Sequence, residues 1–559
     1  MTQIERVEHL RSVLTQVRPL LDVSSRQEGE AARDRALRRI DDHVIPRLES
    51  LDAPLVAVVG GSTGAGKSTL VNTLVGRVVS TASAVRPTTR RPLLVASEQD
   101  LHWFETSRIL PSLARVRLGD TTRDESASST TSLGMTTSEA LPESIALIDA
   151  PDVDSIAVDN RELARHLLDA ADLWIFVTTA ARYADAIPWQ ILDEAATRGI
   201  DIAVVLNRVP EGARQAVESD LRRMLNERQL GRAPIFTIDE QPLEGSLLPQ
   251  HSVAPLVEWL QSLGASAQNR AQIARRALSG SLASVRSECQ VVTQTIDDHN
   301  EAVERAHNIL AEEISTSGQR IATSIGDGTV LRGEVLARWQ EVVGTWDISR
   351  KIDQTVSLLR DRLTAMIKGR PAPVAPVEDA LEDGLAAILR EEFLRVRERS
   401  EDRFLQDRAL APIVVHADTA SELEADSLAR DVTISWQRQL LELIRHQGGS
   451  KKTTARVMAI GVNIVSVALM IVIFSTTGGL TGAEVGVAGA SAALAQRLLE
   501  SVFGDQAVRA MAARAQDMLL ESSQTVLSQR VEPLRQMLPG TIDAQTLQEA
   551  TEGVRGREE

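Results

Sequence analysis

The chain has 559 residues, with 61 Lys+Arg against 77 Asp+Glu for a formal net charge of −16, 43% hydrophobic residues, 3% aromatics and one cysteine. That length calls for several domains rather than a simple one-domain enzyme. The acidic balance argues against a dedicated nucleic-acid binder, whose affinity rests on neutralising phosphates. A single thiol, Cys289, can make neither an intramolecular disulfide nor a multi-thiolate metal site, so packing must carry the stability in a reducing compartment.

Only five basic residues are lysine: Lys67, Lys351, Lys368, Lys451 and Lys452. So strong an arginine bias points to a GC-rich, bacterial genome, and it makes the position of each lysine informative. The start, MTQIERVEHLRSVL, is charged and lacks the apolar core of a secretory signal, which predicts a protein whose bulk stays in the cytoplasm.

In chain order, Ile4, Val7, Leu10, Leu14 and Val17 share one helical face, and Pro19 is expected to kink or end the helix. Residues 1–50 are predicted to form a helical neck. Ala31 to Leu48 is a second amphipathic stretch that leads into Leu55 to Gly61 (LVAVVGG), an apolar run ending in glycines as a buried parallel strand does. Strand-like runs recur at Pro92 to Val95, Ile145 to Ile148, Leu173 to Thr178, Ile202 to Leu206 and Pro234 to Ile238, separated by helical patterns. This alternation predicts, over 51–265, an α/β domain with a mostly parallel sheet and helices on both faces. Thr121 to Ser144, poor in apolar residues and rich in Ser and Thr, reads as a mobile loop.

From 266 to 450 the strand signal gives way to helical periodicity, broken near Gly326 to Gly328 and at Arg370 to Pro376, which predicts a long all-α stalk. Val457 to Ala483 then runs for 27 residues without a charge, longer than the roughly 20 needed to cross a hydrocarbon core. Lys451, Lys452 and Arg456 precede it, as expected of a cytoplasmic start. Gly482, Gly486 and Ala490 recur every four residues, a spacing that lets helices approach closely in lipid. The expectation for 451–500 is a membrane-inserting apolar hairpin, with 457–496 as the inserted part. A fully buried helical hairpin is the alternative. Residues 501–559 resume an amphipathic pattern and are expected to return to the stalk.

Gly61-Ser62-Thr63-Gly64-Ala65-Gly66-Lys67-Ser68 fits GxxxxGK(S/T) after a strand and before a helix, the context that the motif requires. Its glycines let backbone N–H groups wrap phosphates, Lys67 neutralises the β and γ phosphates, Ser68 ligates Mg²⁺, and Thr69 opens the helix beside it. Thr89, in the RPTTRRP loop, is placed to close a hydroxyl over Mg²⁺ and the γ-phosphate. Asp149, ending the Ile145 strand, supplies the carboxylate expected to hold the metal indirectly, behind its direct ligands or through a water. Asn207-Arg208-Val209-Pro210 follows a strand at the position of a base-reading loop. The P-loop also resembles that of ABC-type ATPases, but there a signature helix precedes the acidic strand, whereas here Asp149 comes first. His166 and His446 have no neighbours at metal-ligand spacing, so no zinc site is expected, and Trp174, Trp189 and Trp339 read as core or interface residues.

Taken together, the motifs resemble the bacterial dynamin-like GTPases, and in particular those of actinobacteria. Thr89-Arg90-Arg91-Pro92-Leu93 is similar to their switch TRRPL, and Asp149-Ala150-Pro151 to their DxPG. The resemblance spans the layout of the chain, although only the G-domain motifs are specific. It implies GTP as substrate, Mg²⁺ as cofactor, Lys67, Thr89 and Asp149 as catalytic residues, a lipid membrane as partner, and homo- or hetero-oligomers formed through G domains and stalk. It also implies a place at the cytoplasmic face of the cell membrane. Three positions depart from the pattern. Gly64 stands for a serine, Asp152 for the glycine of DxxG, and Pro210 for the aspartate of (N/T)KxD that accepts from guanine. Two other readings are a catalytically weak pseudo-GTPase in a heteromeric membrane assembly and a soluble ribosome-associated GTPase of the Era type.

Overall fold

The computed structural model describes residues 2–19, 21–80, 91–106, 109–110, 113–118, 132–152, 158–197, 199–331, 338, 375–415, 421–447, 457, 461–475 and 483–555. Thr89, Trp339, the four lysines beyond Lys67 and the Gly482 of the small-residue spacing lie outside the described residues. The chain divides into two compact units: Met1–Pro19 with Ser25–Asp298 and Ile542–Glu559, and Leu20–Ser24 with His299–Thr541.

The first unit is built on an eight-stranded sheet: β1 (Leu55–Gly61), β2 (Leu93–Ala96), β3 (Ala114–Arg117), β4 (Ser132–Thr137), β5 (Ile145–Asp149), β6 (Leu173–Thr179), β7 (Asp201–Val209) and β8 (Ile235–Asp239). The order is β3-β4-β2-β5-β1-β6-β7-β8, and every pairing is parallel except that of β2 with β5. Alternate residues of the central strands feed two different cores. Val56, Val58, Ala146, Ile148, Trp174 and Phe176 face one, and Ala57, Val59, Ile145, Leu147, Ile175 and Val177 the other. A sheet covered on both faces explains why these strands are continuous apolar runs.

β4 corrects the sequence reading, because it lies inside the stretch expected to be a loop. Leu133 and Met135 are its buried apolar residues, and Thr136 and Thr137 are β-branched. A six-residue strand with so few large side chains carries little hydropathy signal. It forms by pairing between β2 and β3.

The N-terminal stripe packs as its spacing predicts. A capping box of Thr2 and Glu5 starts the helix Gln3–Gln16. Val7, Leu10, Leu14 and Val17 then join Leu282, Cys289 and Val292 of the helix Ala267–Gly326 and Leu547 of the helix Ala544–Gly553 in one core. Burial pushes the Cys289 thiol up to about 11, so it is an inert packing residue.

The second unit is helical. Its core gathers the helices Ala375–Gln406, Glu422–Gln447, Val462–Ser475, Ala483–Phe503 and Asp505–Gln536, together with the end of Ala267–Gly326. Here the membrane-spanning expectation is corrected. The uncharged run is not one long helix: Val462–Ser475 covers 14 residues, and residues 458–460 and 476–482 lie outside the described ones. At 1.5 Å per residue such a helix spans about 21 Å, short of the roughly 30 Å hydrocarbon core. Among the described residues no helix is long and apolar enough to cross a membrane. Val465 through Phe474 are all buried within this unit, where Phe474 lies 5.9 Å from the Trp436 ring and Trp436 Nε1 donates to the Ala515 carbonyl at 2.7 Å.

Candidate nucleotide site

The C-terminal ends of β1, β5, β6 and β7 meet at one edge of the sheet, the place where parallel α/β sheets bind ligands. The loop after β1 turns sharply into the helix Lys67–Val75. Gly61, Gly64 and Gly66 have φ of +145°, +76° and +95°. At Gly61 a Cβ would stand 2.0 Å from the Val177 carbonyl oxygen of β6, and at Gly66 one would stand 2.5 Å from Asn207 Nδ2. Only glycine fits either place.

Ser62 and Ala65 are buried and Gly64 is exposed at the tip of the loop. Thr63 receives a hydrogen bond at its carbonyl from Arg182 Nη1 at 2.8 Å. Lys67 is buried beneath the loop. Its ammonium donates to the Gly61 and Ser62 carbonyls at 3.2 Å each and pairs with the Asp152 carboxylate. Ser68 and Thr69, the next residues of the helix, are partly exposed.

Asp149 is wholly buried at the end of β5. Its Oδ2 accepts from Ser68 Oγ at 2.9 Å and from Ser80 Oγ at 2.7 Å. Burial pushes its pKa up; the two hydroxyls and the nearby Lys67 charge work in the opposite direction. Its Oδ1 is buried without a hydrogen-bond partner among the described residues. A buried, unmatched carboxylate oxygen beside a serine hydroxyl fits Mg²⁺, which binds through one or two protein oxygens together with phosphate. Ser68 and Asp149 would hold the ion.

Asn207 is buried near the end of β7 and donates from Nδ2 to the Ala65 carbonyl at 2.8 Å. Arg208 is exposed, with φ of +55°, at a register shift between β7 and β8. The two residues picked as a base-reading pair therefore part company: Asn207 fixes the phosphate loop, and Arg208 faces outward.

Lys67, Ser68, Asp149, Asn207 and the glycine loop are thus brought together, while Thr89 lies outside the described residues. Sequence reasoning missed two participants, Arg182 and Ser80, and one pairing. Arg182 follows β6, and the rule that loops at neighbouring strand ends face one another could have found it. Ser80 carries no motif. The Lys67 to Asp152 pair joins residues 85 apart; the DxxG pattern marks Asp152 as a carboxylate near the phosphate site but does not name Lys67 as its partner.

Residues 56–209 match the sequence profile of the dynamin family. No curated protein matches the chain. Among solved structures, a chain from an oligomerised bacterial dynamin pair described as providing a mechanism for the long-range sensing and tethering of membranes is 11% identical, with 98% of each chain covered and a TM-score of 0.40. Era, in complex with MgGDPNP and ribosomal RNA, is 19% identical over 38% of this chain, with a TM-score of 0.25, and the match spans 56% of the Era chain. Toc33 from Arabidopsis thaliana, in complex with Mg²⁺ and GMPPNP, is 16% identical over 44% of this chain and 96% of its own, with a TM-score of 0.25.

Proposed function

We infer that this chain, a dynamin-family protein through its residues 56–209, is a GTPase that couples nucleotide hydrolysis to membrane binding at the cytoplasmic face. The observation that carries this reading is the glycine loop wrapped over a buried Lys67, with Ser68 set against Asp149. In a parallel α/β sheet that arrangement suits a triphosphate with its metal.

Phosphoryl transfer asks a protein chiefly for positioning and charge stabilisation. Loop amides and the N-terminus of the helix Lys67–Val75 would bind the phosphates, and Lys67 would neutralise the oxygens on which charge grows. Ser68 and Asp149 would hold Mg²⁺, which would add further neutralisation there. Thr89 would orient the attacking water, as the family resemblance implies. Asn207 and Arg182 keep the loop in shape from two neighbouring strand ends.

Support for membrane contact comes from the basic residues Lys451, Lys452 and Arg456 ahead of the uncharged run, because Val465 through Phe474 are themselves buried in the helical unit. The contact proposed is peripheral rather than a span, and G domains and stalk would form the oligomer. Steady-state GTP and ATP hydrolysis, with and without anionic vesicles, tests the reading. GTP turnover that Lys67→Ala removes supports it; turnover unchanged in that variant rejects it.

A second reading, a pseudo-GTPase partner in a heteromeric membrane assembly, is favoured by Asp152 holding Lys67 and by Pro210 in place of the guanine-accepting aspartate. Tight nucleotide binding without turnover, or turnover only on mixing with a second G protein, would select it.

A further inference from the structure

A lysine ammonium has three N–H donors. Those of Lys67 are all engaged: two on the carbonyls of Gly61 and Ser62 and the third on the carboxylate of Asp152. The two carbonyls belong to the loop that would wrap the phosphates and travel with it. Asp152 arrives from a different segment, three residues beyond the end of β5, and its side chain is 18% exposed where that of Lys67 is 5% exposed. It is the one carboxylate that this lysine touches directly among the described residues, and it stands where the family pattern has a residue without a side chain.

An incoming phosphate offers Lys67 the same thing as Asp152, an anionic oxygen. Both cannot take the third donor, and two anions brought together over one cation repel. In a phosphate-binding loop of this kind the backbone amides cradle the inner phosphates, while the lysine reaches the β and γ groups. A diphosphate therefore asks less of Lys67 than a triphosphate does, and leaves more of its charge for a neighbouring carboxylate.

We propose that Asp152 is a built-in competitor for the terminal phosphate: it holds Lys67 in the nucleotide-free protein, leaves it when a triphosphate binds, and sets how far the site favours triphosphate over diphosphate. This rests on the reading of residues 61–69 as a nucleoside triphosphate site. Asp152 is here a specificity-determining residue, and its effect runs through charge rather than shape.

The test is equilibrium titration of the full chain, in Mg²⁺, with a fluorescent non-hydrolysable GTP analogue and with the matching GDP analogue. It compares the natural protein, Asp152→Asn and Asp152→Gly. Asparagine keeps the size and hydrogen-bonding oxygen of the side chain and removes its charge, so that variant decides alone should the glycine variant not fold. Both variants are expected to bind the triphosphate about tenfold more tightly, the order expected on removing one competing charge at a partly exposed site. Diphosphate affinity should change much less. Triphosphate affinity unchanged or weakened in folded Asp152→Asn, with the natural protein binding normally, would overturn the proposal and leave the nucleotide-site reading intact. If neither the natural protein nor the variants bind either analogue, both fall together.

Discussion

The Asn207 side chain donates to the Ala65 carbonyl at 2.8 Å, so the end of β7 fastens the loop that follows β1. The bond runs directly beside Gly66, whose missing side chain leaves the amide its room.

Gly66→Ala should therefore fail twice, because a Cβ there meets Asn207 Nδ2 at 2.5 Å and the backbone has φ of +95°. The expected cost is about 1–3 kcal/mol of folding stability from backbone strain, with nucleotide affinity falling at least tenfold. Thermal melting and nucleotide titration read the two effects. Gly61→Ala should be worse, since the clash at 2.0 Å is with a strand carbonyl that cannot turn away.

Asp149→Asn should keep the fold and lose the metal. The buried carboxylate carries an unmatched Oδ1 and accepts from Ser68 and Ser80. The natural protein should gain melting temperature when Mg²⁺ is added to GTP, and the variant should gain no more from the pair than from GTP alone. An equal Mg²⁺-dependent gain in both would contradict this role.

A buried ion pair ties the helix Ile45–Glu49 to the sheet. Asp172, wholly buried, accepts from Arg47 Nε and from the Val56 backbone N–H at 2.8 Å each, and Arg47 also donates to the Ala53 and Pro54 carbonyls. Burial opposes ionisation of Asp172, but the Arg47 guanidinium and His43 outweigh it and hold the carboxyl below its ordinary range. Asp172→Asn should cost about 3–5 kcal/mol at neutral pH, because Arg47 is left buried and unpaired. A depressed folded pKa contributes stability above the unfolded value of about 3.9, and that stability is lost as pH falls through the folded value. The Asp172 part of the stability difference between natural protein and variant should thus be lost as pH falls below about 4, as measured by denaturant unfolding.

Leu469→Ala separates a protein-buried helix from a lipid-facing one. Leu469 is fully buried in the core of the helical unit. Truncation should cost about 2–5 kcal/mol of that unit's stability in aqueous buffer. A cost near zero would mean that the helix Val462–Ser475 is not packed there.

Those contrasts also explain what was legible in the sequence. β1, β5, β6 and β7 stood out because a parallel strand buried on both faces is apolar at every position. β4 did not, because Leu133 and Met135 are its main apolar residues. The phosphate loop was readable because its glycines answer to backbone geometry, and Gly61 and Gly66 still show that demand in their φ angles and clashes. Val462–Ser475 misled because hydropathy reports removal from water and does not distinguish a protein core from a bilayer. The partners of Lys67 and Asp149 stayed hidden because Asp152 and Ser80 reach them only through the fold.

The most direct measurement is competition binding to the full chain in Mg²⁺: a labelled GTP analogue displaced by unlabelled GTP or ATP, for the natural protein and for Lys67→Ala. The result expected is displacement by GTP at lower concentration than by ATP, with all binding lost in the variant. Equal displacement by both nucleotides would contradict the assignment as a GTPase, and binding that survives Lys67→Ala would contradict the site itself.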